Sequence, residues 1–489
     1  MVRIRSVAFV LWGLLIVSSG AQGVVFEDSV VILSTASQPS DVHSPWSKRE
    51  PQTLLASGAI LDGNLVVTTA FAIRSATSIE GRLLGRSERF ALTPVLIDYE
   101  INLALLRPSD PSSLRGTTPF AMGGPLLESQ EAWLLKDRDP FRLTRLPIRL
   151  NDVSILRSAT SAYGALAYVC ESKASGLGWA EPIVRDNRLI AIASGQDDAS
   201  VYAIPAAVIS RFVAEARQKT YRGFPAMGLV ARTLVDPNLR GLIGASGTAD
   251  GVRISQVLAF SPFAGKLQED DVLLSIDGHR VSAYGDINWA PWGKLPLQVA
   301  MNFHWAGDAV NLDILRRGKP LKVSAIVPRF SSNRFRIAHA RYDEAEPYLI
   351  FGGLIIQELS REYLQLWGKE WMENAPLELL YAGELENDPP AQAGARFLIL
   401  NRILTDEFNR GYEGMDNLLI EAVNGKKVES LADLNAVLKT PVERQGKKFA
   451  VFKFRGGGGE IILGYDGLGP AQQRIAKNYG IGIGGLFFK

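Results

Sequence analysis

The chain is poor in the residues that carry most side-chain chemistry. Among 489 residues there are one cysteine and four histidines. With Cys170 alone, no internal disulfide can form, so stability has to come from buried apolar cores. Cys170 itself sits in the apolar-leaning run AYGALAYVCES and reads as a small core residue. There is no Cys-x-x-Cys, no histidine-rich tract and no phosphate-cradling glycine loop, so neither a metal site nor a cofactor is expected. An excess of one charge is also lacking. The 53 Lys and Arg against 51 Asp and Glu leave a formal charge of +2, scattered rather than clustered, which argues against a nucleic-acid partner. Beyond the first two dozen residues no apolar run is long enough to span a bilayer.

What is present is ordinary globular composition, 47% hydrophobic and 21% charged, over a length that suggests about three domains. Residues 1–23 have the plan of a secretory signal: Arg3 and Arg5, an apolar run from Val7 to Val17, and small residues at Ala21 and Gly23. The expectation is an exported protein of the periplasm or the cell exterior.

Residues 24–220 break into short strands rich in β-branched and aromatic residues, such as VVILST, SGAIL, NLALLRP, AYVCES and VYAIP, separated by Gly, Pro and Asp turns. That pattern predicts an all-β barrel or sandwich. PAAVISRFVAEARQK closes it as a helix, with Pro205 at its start and Val208, Ile209, Phe212 and Val213 along one side. The remainder carries a weak repeat. VLLSIDGHRV (272–281) and LIEAVNGKKV (419–428) share an apolar strand, an Asp-Gly or Asn-Gly turn, and a basic pair before Val. SLADLNAVL then reads as a helix capped by Ser430. Two α+β modules follow, at 221–330 and 346–470, with a tail at 471–489. The run Gly456 to Gly459 is read as a hairpin loop.

ASGAILDGNLVVTTAFAI (56–73) resembles the histidine-bearing segment of a trypsin-like protease. DYEINLALLRP (98–108) resembles its aspartate segment, and GLGWAEPIVRDNRLIAIASG (176–195) its Gly-Asn-Ser-Gly-Gly-Pro segment. TYRGFPAMGLV (220–230), LQEDDVLLSIDG (267–278) and EPYLIFGGLIIQELSREYLQLWG (346–368) resemble PDZ sequence. In this order the motifs resemble the HtrA/Deg family, plant-type Deg proteases in particular. The resemblance implies a mostly β chain with α+β modules: a trypsin-like double β-barrel followed by two PDZ-like domains.

On that pattern the base position holds Phe71, the orienting acid position Asn102 and the nucleophile position Trp179. Serine acyl transfer needs a nucleophile, a base, and a carboxylate that holds the base; none of the three side chains supplies its part. The histidines are His43, His279, His304 and His339, with none between 44 and 278. His43 is read as preceding the first barrel strands. Ser172, Ser175 and Cys170 lie near the nucleophile loop, and Lys173, in ESKASG, reads as an exposed loop residue rather than a buried base. The expectation is therefore a degenerate peptidase, not an enzyme.

The PDZ resemblance implies peptide binding by β-augmentation, with backbone amides receiving a terminal carboxylate. The matching loops are Ala226-Met227-Gly228-Leu229 and Phe351-Gly352-Gly353-Leu354. The second groove could be filled by another subunit or by the chain's own Leu486-Phe487-Phe488-Lys489 end. The implied role is an adaptor, chaperone-like factor or regulator in protein quality control. Its partners would be peptide or unfolded segments and active relatives, in a trimer-based homo- or hetero-oligomer. The competing readings are an active serine endopeptidase and a structural subunit of a hetero-oligomeric complex.

Overall fold

The computed structural model describes residues 26–482 apart from 140–141, 159, 340, 369, 385–389 and 391. The expected signal segment and the 486–489 end lie outside the described residues. Six strands close the first barrel: β1 (Val30–Ser37), β2 (Gln52–Leu61), β3 (Leu65–Thr68), β4 (Ala76–Leu83), β5 (Arg89–Asp98) and β6 (Leu103–Pro108), in the order β1-β2-β3-β6-β5-β4. Six more close the second: β7 (Glu131–Asp139), β8 (Arg142–Arg157), β9 (Gly164–Glu171), β10 (Pro182–Arg185), β11 (Arg188–Gln196) and β12 (Ser200–Pro205), in the order β10-β11-β12-β9-β8-β7. Closure removes every free sheet edge, and the inward β-branched and leucine side chains fill each interior. β1 precedes His43, so that histidine lies inside the first barrel's sequence, in the β1–β2 loop, rather than ahead of it.

Helix α1 (Ala206–Ala216) buries Val208, Ile209, Phe212 and Val213, the face its spacing predicts. Cys170 is fully enclosed in the second barrel's core, and burial pushes its thiol up to about 12. Lys173 is exposed, as expected.

The first α+β module is a sheet whose main path runs Leu229–Arg232, Val252–Val257, Val272–Ile276, Ala309–Arg316 and Lys319–Ile326. The second runs Tyr348–Phe351, Leu354–Glu358, Leu398–Ile403, Leu418–Val423, Lys447–Phe454 and Val442–Arg444, with Glu460–Gly464 also on Lys447–Phe454. The repeated turns are real left-handed pairs, with φ of +46° and +83° at Asp277-Gly278 and +49° and +73° at Asn424-Gly425. Helix Leu431–Leu438 starts on a Ser430 side-chain cap, and Gly456 to Gly459 joins two paired strands. Two features had no sequence signal. Helices Arg361–Leu364, Trp371–Asn374 and Leu377–Glu384 are inserted between the second and third strands of that module. A helix at Leu468–Asn478 also crosses residue 470, so the described chain beyond it is packed helix rather than tail, with Ala471 and Ile475 buried. None of the helices among the described residues is long and apolar enough to cross a membrane.

The barrels and modules interlock. Tyr163 of the second barrel donates from its hydroxyl to the Pro225 carbonyl at 3.2 Å, and its ring packs at a tilt 5.3 Å from that of Phe330. The β1–β2 loop reaches the second module. Val42 is buried there with Leu359, Tyr363 and Ile399, and its carbonyl accepts from Gln357 Nε2 at 3.0 Å and Asn401 Nδ2 at 3.2 Å.

Candidate active-site corner and peptide grooves

The three positions that the resemblance equates with a catalytic triad come together in space. Phe71 lies in a tight turn, Ala70–Ile73, that follows β3. Its amide donates to Asn102 Oδ1 at 2.9 Å. Asn102 is buried and holds φ +56°, a left-handed conformation that asparagine tolerates better than most residues. The Phe71 and Trp179 rings lie 5.9 Å apart at 38°, and Arg74 stacks its guanidinium 3.6 Å from the Phe71 ring centre. Trp179 packs against the first barrel's core although its own loop belongs to the second barrel. Two aromatics thus fill the seam between the barrels.

The loop carrying Trp179 is held by a carboxylate. Glu181 Oε2 accepts from the amides of Gly178 at 2.9 Å and Trp179 at 2.7 Å. Consecutive amides of this kind form an anion nest, here filled from within the loop. Glu181 is buried; desolvation pushes its carboxyl above the ordinary range, opposed by those same amides. Gly178 is required by space as well as by its φ of +97°: a Cβ there would come within 2.5 Å of the Gly195 backbone.

The histidine that approaches this corner comes from far along the chain. His339 lines the same cavity as Phe71 and Arg74. Its Nε2 meets Arg361 Nη1 at 3.1 Å, and burial together with that cation lowers its pKa to about 4. Of the nearby serines, Ser172 receives the Ala174 amide at 3.2 Å, and the Ser175 carbonyl accepts from Lys136 at 2.9 Å; both are ordinary loop contacts.

In the first module, Ala226, Met227, Gly228 and Leu229 line an apolar cavity of about 170 Å³ with Ile254, Leu297 and Met301. Gly228 has φ +64° and its carbonyl accepts from Leu258. The strand Leu229–Arg232 pairs with Val252–Val257 on one side only among the described strands. Tyr163 and Gly164 of the barrel border the same cavity. Asn302 fixes that approach, accepting from the Leu166 amide at 2.7 Å and donating to the Gly164 carbonyl at 3.1 Å.

Phe351, Gly352, Gly353 and Leu354 are differently placed. They form a two-residue hairpin, with Phe351 and Leu354 fully buried as cross-strand partners. Asn409 Nδ2 donates to the Gly352 carbonyl at 2.9 Å. A Cβ on Gly353 would lie 2.2 Å from that nitrogen and 3.3 Å from Ile475 of the last helix. The turn at this expected carboxylate-loop position is covered by the module's own residues. Asn409 and Ile475 gave no such signal in sequence, because both lie more than 50 residues away.

A closed pair of six-stranded barrels followed by two α+β sheets defines a trypsin-like fold joined to PDZ-type modules. Residues 337–483 match the model of a PDZ domain family. The chain is 22% identical over 474 residues to Protease Do-like 2, chloroplastic, of Arabidopsis thaliana, covering 93% of this chain and 74% of that protein. It is also 22% identical over 424 residues to the putative Protease Do-like 3, mitochondrial, of the same plant, covering 83% and 71%. A solved structure titled HtrA-type protease AlgW with tripeptide superposes with a TM-score of 0.47 at 17% identity, over 62% of this chain and 94% of that one. Over most of its length the chain is thus similar to Deg-type proteases, and its last module to a PDZ domain family.

Two expectations are corrected by these relatives. The expectation of a chain that is not an enzyme conflicts with relatives that match most of its length and are named as proteases. That expectation rested on three positions and on the lack of histidine between 44 and 278, whereas side chains from distant segments meet in space, and His339 lines this corner's cavity from outside the barrels. The expectation of a periplasmic or extracellular protein conflicts with relatives named chloroplastic and mitochondrial. A basic, acid-free start is common to secretory signals and organellar transit segments, so Arg3 and Arg5 did not separate the two.

Proposed function

We propose that this chain is an HtrA/Deg-type protein of an organelle that captures extended peptide segments for protein quality control, through the groove beside Ala226, Met227, Gly228 and Leu229. The observation that carries the reading is the free edge of Leu229–Arg232 beside an apolar cavity and a left-handed glycine. A peptide added to that edge would gain main-chain hydrogen bonds, and its last side chain would enter the cavity. The groove would be mounted on the barrels, and a trimer-based assembly would multiply such grooves. The test is fluorescence anisotropy with labelled peptides ending in an apolar residue and a free carboxylate. Binding should fall at least about tenfold on Gly228→Asp and on Leu229→Lys; equal binding by both folded variants would sink the reading.

Endoproteolysis is the second reading, favoured by the names of the relatives. Its test is casein cleavage and fluorophosphonate labelling by the purified chain. Labelling lost on Ser172→Ala or Ser175→Ala would locate the nucleophile, and no cleavage with no labelling would reject this reading.

A further inference from the structure

The mouth of the first barrel is roofed by the segment that links the two PDZ-like modules. Asp343 Oδ1 accepts from the Ser75 amide at 3.0 Å, its Oδ2 from the Tyr99 hydroxyl at 2.5 Å, and the Ser75 hydroxyl donates to the Tyr342 carbonyl. The Tyr99 and Tyr342 rings pack with their centres 5.0 Å apart, tilted by 41°. Beneath this roof lies a cavity of about 470 Å³, room for a small organic molecule rather than one or two waters.

The charges around it do not balance. Arg74 reaches in from the barrel, donating from Nη1 to the Phe71 carbonyl at 2.5 Å, and makes no ion pair among the described residues. Arg49 lines the same space, and Arg341 and Arg361, also on the wall, already meet Glu358 and His339. The acids on the wall are Glu346 and Glu362. Their carboxyls lie beside one another, burial raises both, and Glu346 lies near 7, so around neutrality the pair shares a proton and carries about one negative charge, with Asp343 in the roof a second, against the guanidinium groups of the wall. A partly buried guanidinium without a counter-ion is costly, and planar guanidinium groups match the fork of an oxyanion.

We propose that this cavity is an anion site, taking a small molecule whose carboxylate or phosphate group pairs with Arg74 and Arg49 beside the Phe71 ring. The shared chemistry is the oxyanion, and the test separates its sources. Isothermal titration of the full chain with citrate and with pyrophosphate, at constant ionic strength, should give saturable binding by one or both, and the stronger ligand identifies the source. Binding should weaken at least about tenfold in Arg49→Gln, whose exposed position leaves folding intact, and likewise in Arg74→Gln where that variant melts cooperatively. Exchanging Arg317, at an exposed turn away from the cavity, for Gln should change nothing. The proposal is overturned if neither ligand binds up to about 10 mM, or if Arg49→Gln binds as the parent does.

Discussion

The Phe71 amide donates to the side-chain oxygen of Asn102 at 2.9 Å, and Asn102 makes that bond from left-handed backbone. One residue thus fixes the turn after β3 to the start of β6. Asn102→Ala should lose about 2–3 kcal/mol, because it orphans an enclosed amide and adds left-handed strain. Asn102→Gly, free of that strain, should lose less. Urea unfolding midpoints of the two variants check the ordering.

Glu181 anchors the Trp179 loop through two amides. Glu181→Ala should cost about 2–3 kcal/mol, the penalty of leaving both donors without a partner. Glu181→Gln keeps one acceptor oxygen and should recover part of it. Hydrogen exchange at the Gly178 and Trp179 amides gives the local readout: both should speed up in the alanine variant and stay slower in the glutamine one.

The buried acid pair predicts a pH dependence. Burial raises Glu346 from 4.5 to about 7, so between those values the folded chain holds a proton that the unfolded chain has released. Stability contributed here is present below about pH 4.5 and is lost as pH rises through about 7. Glu346→Gln should flatten that part of the profile, with its largest advantage over the parent above neutrality. Melting temperatures from pH 5 to 8 (a range set by these shifts) test it; parallel profiles would reject it.

Asn302 holds the first module against β9 with two hydrogen bonds. Asn302→Ala should loosen the module from the barrel and make Tyr163 a less constant neighbour of the peptide cavity. Small-angle scattering should show a larger radius of gyration, while the module's own strands keep their exchange protection.

The barrels were legible because their strands repeat a simple grammar of β-branched runs and turns, and α1 because its apolar face follows the helical period. The Asp277-Gly278 and Asn424-Gly425 turns announced themselves for the same reason: local chemistry fixed local backbone. What escaped were relationships over distance. Nothing near Gly352 says that Asn409 will cover it, and nothing near Phe71 says that Tyr342 and Arg361 will roof the adjoining cavity. The inserted helices were missed because Pro376 and Gly368 break the period before any stretch is long enough to register.

The Val42 carbonyl accepts from the side chains of Gln357 and Asn401. A ribosome emits Val42 315 residues before Gln357 and 359 before Asn401. During that interval the β1–β2 loop has no place to settle, and its valine is open to solvent and to whatever else binds apolar segments. The nascent barrel can close, but it cannot finish. Completion waits for the second module, so a chain truncated before residue 357 would carry an unsecured loop beside its own candidate active-site corner.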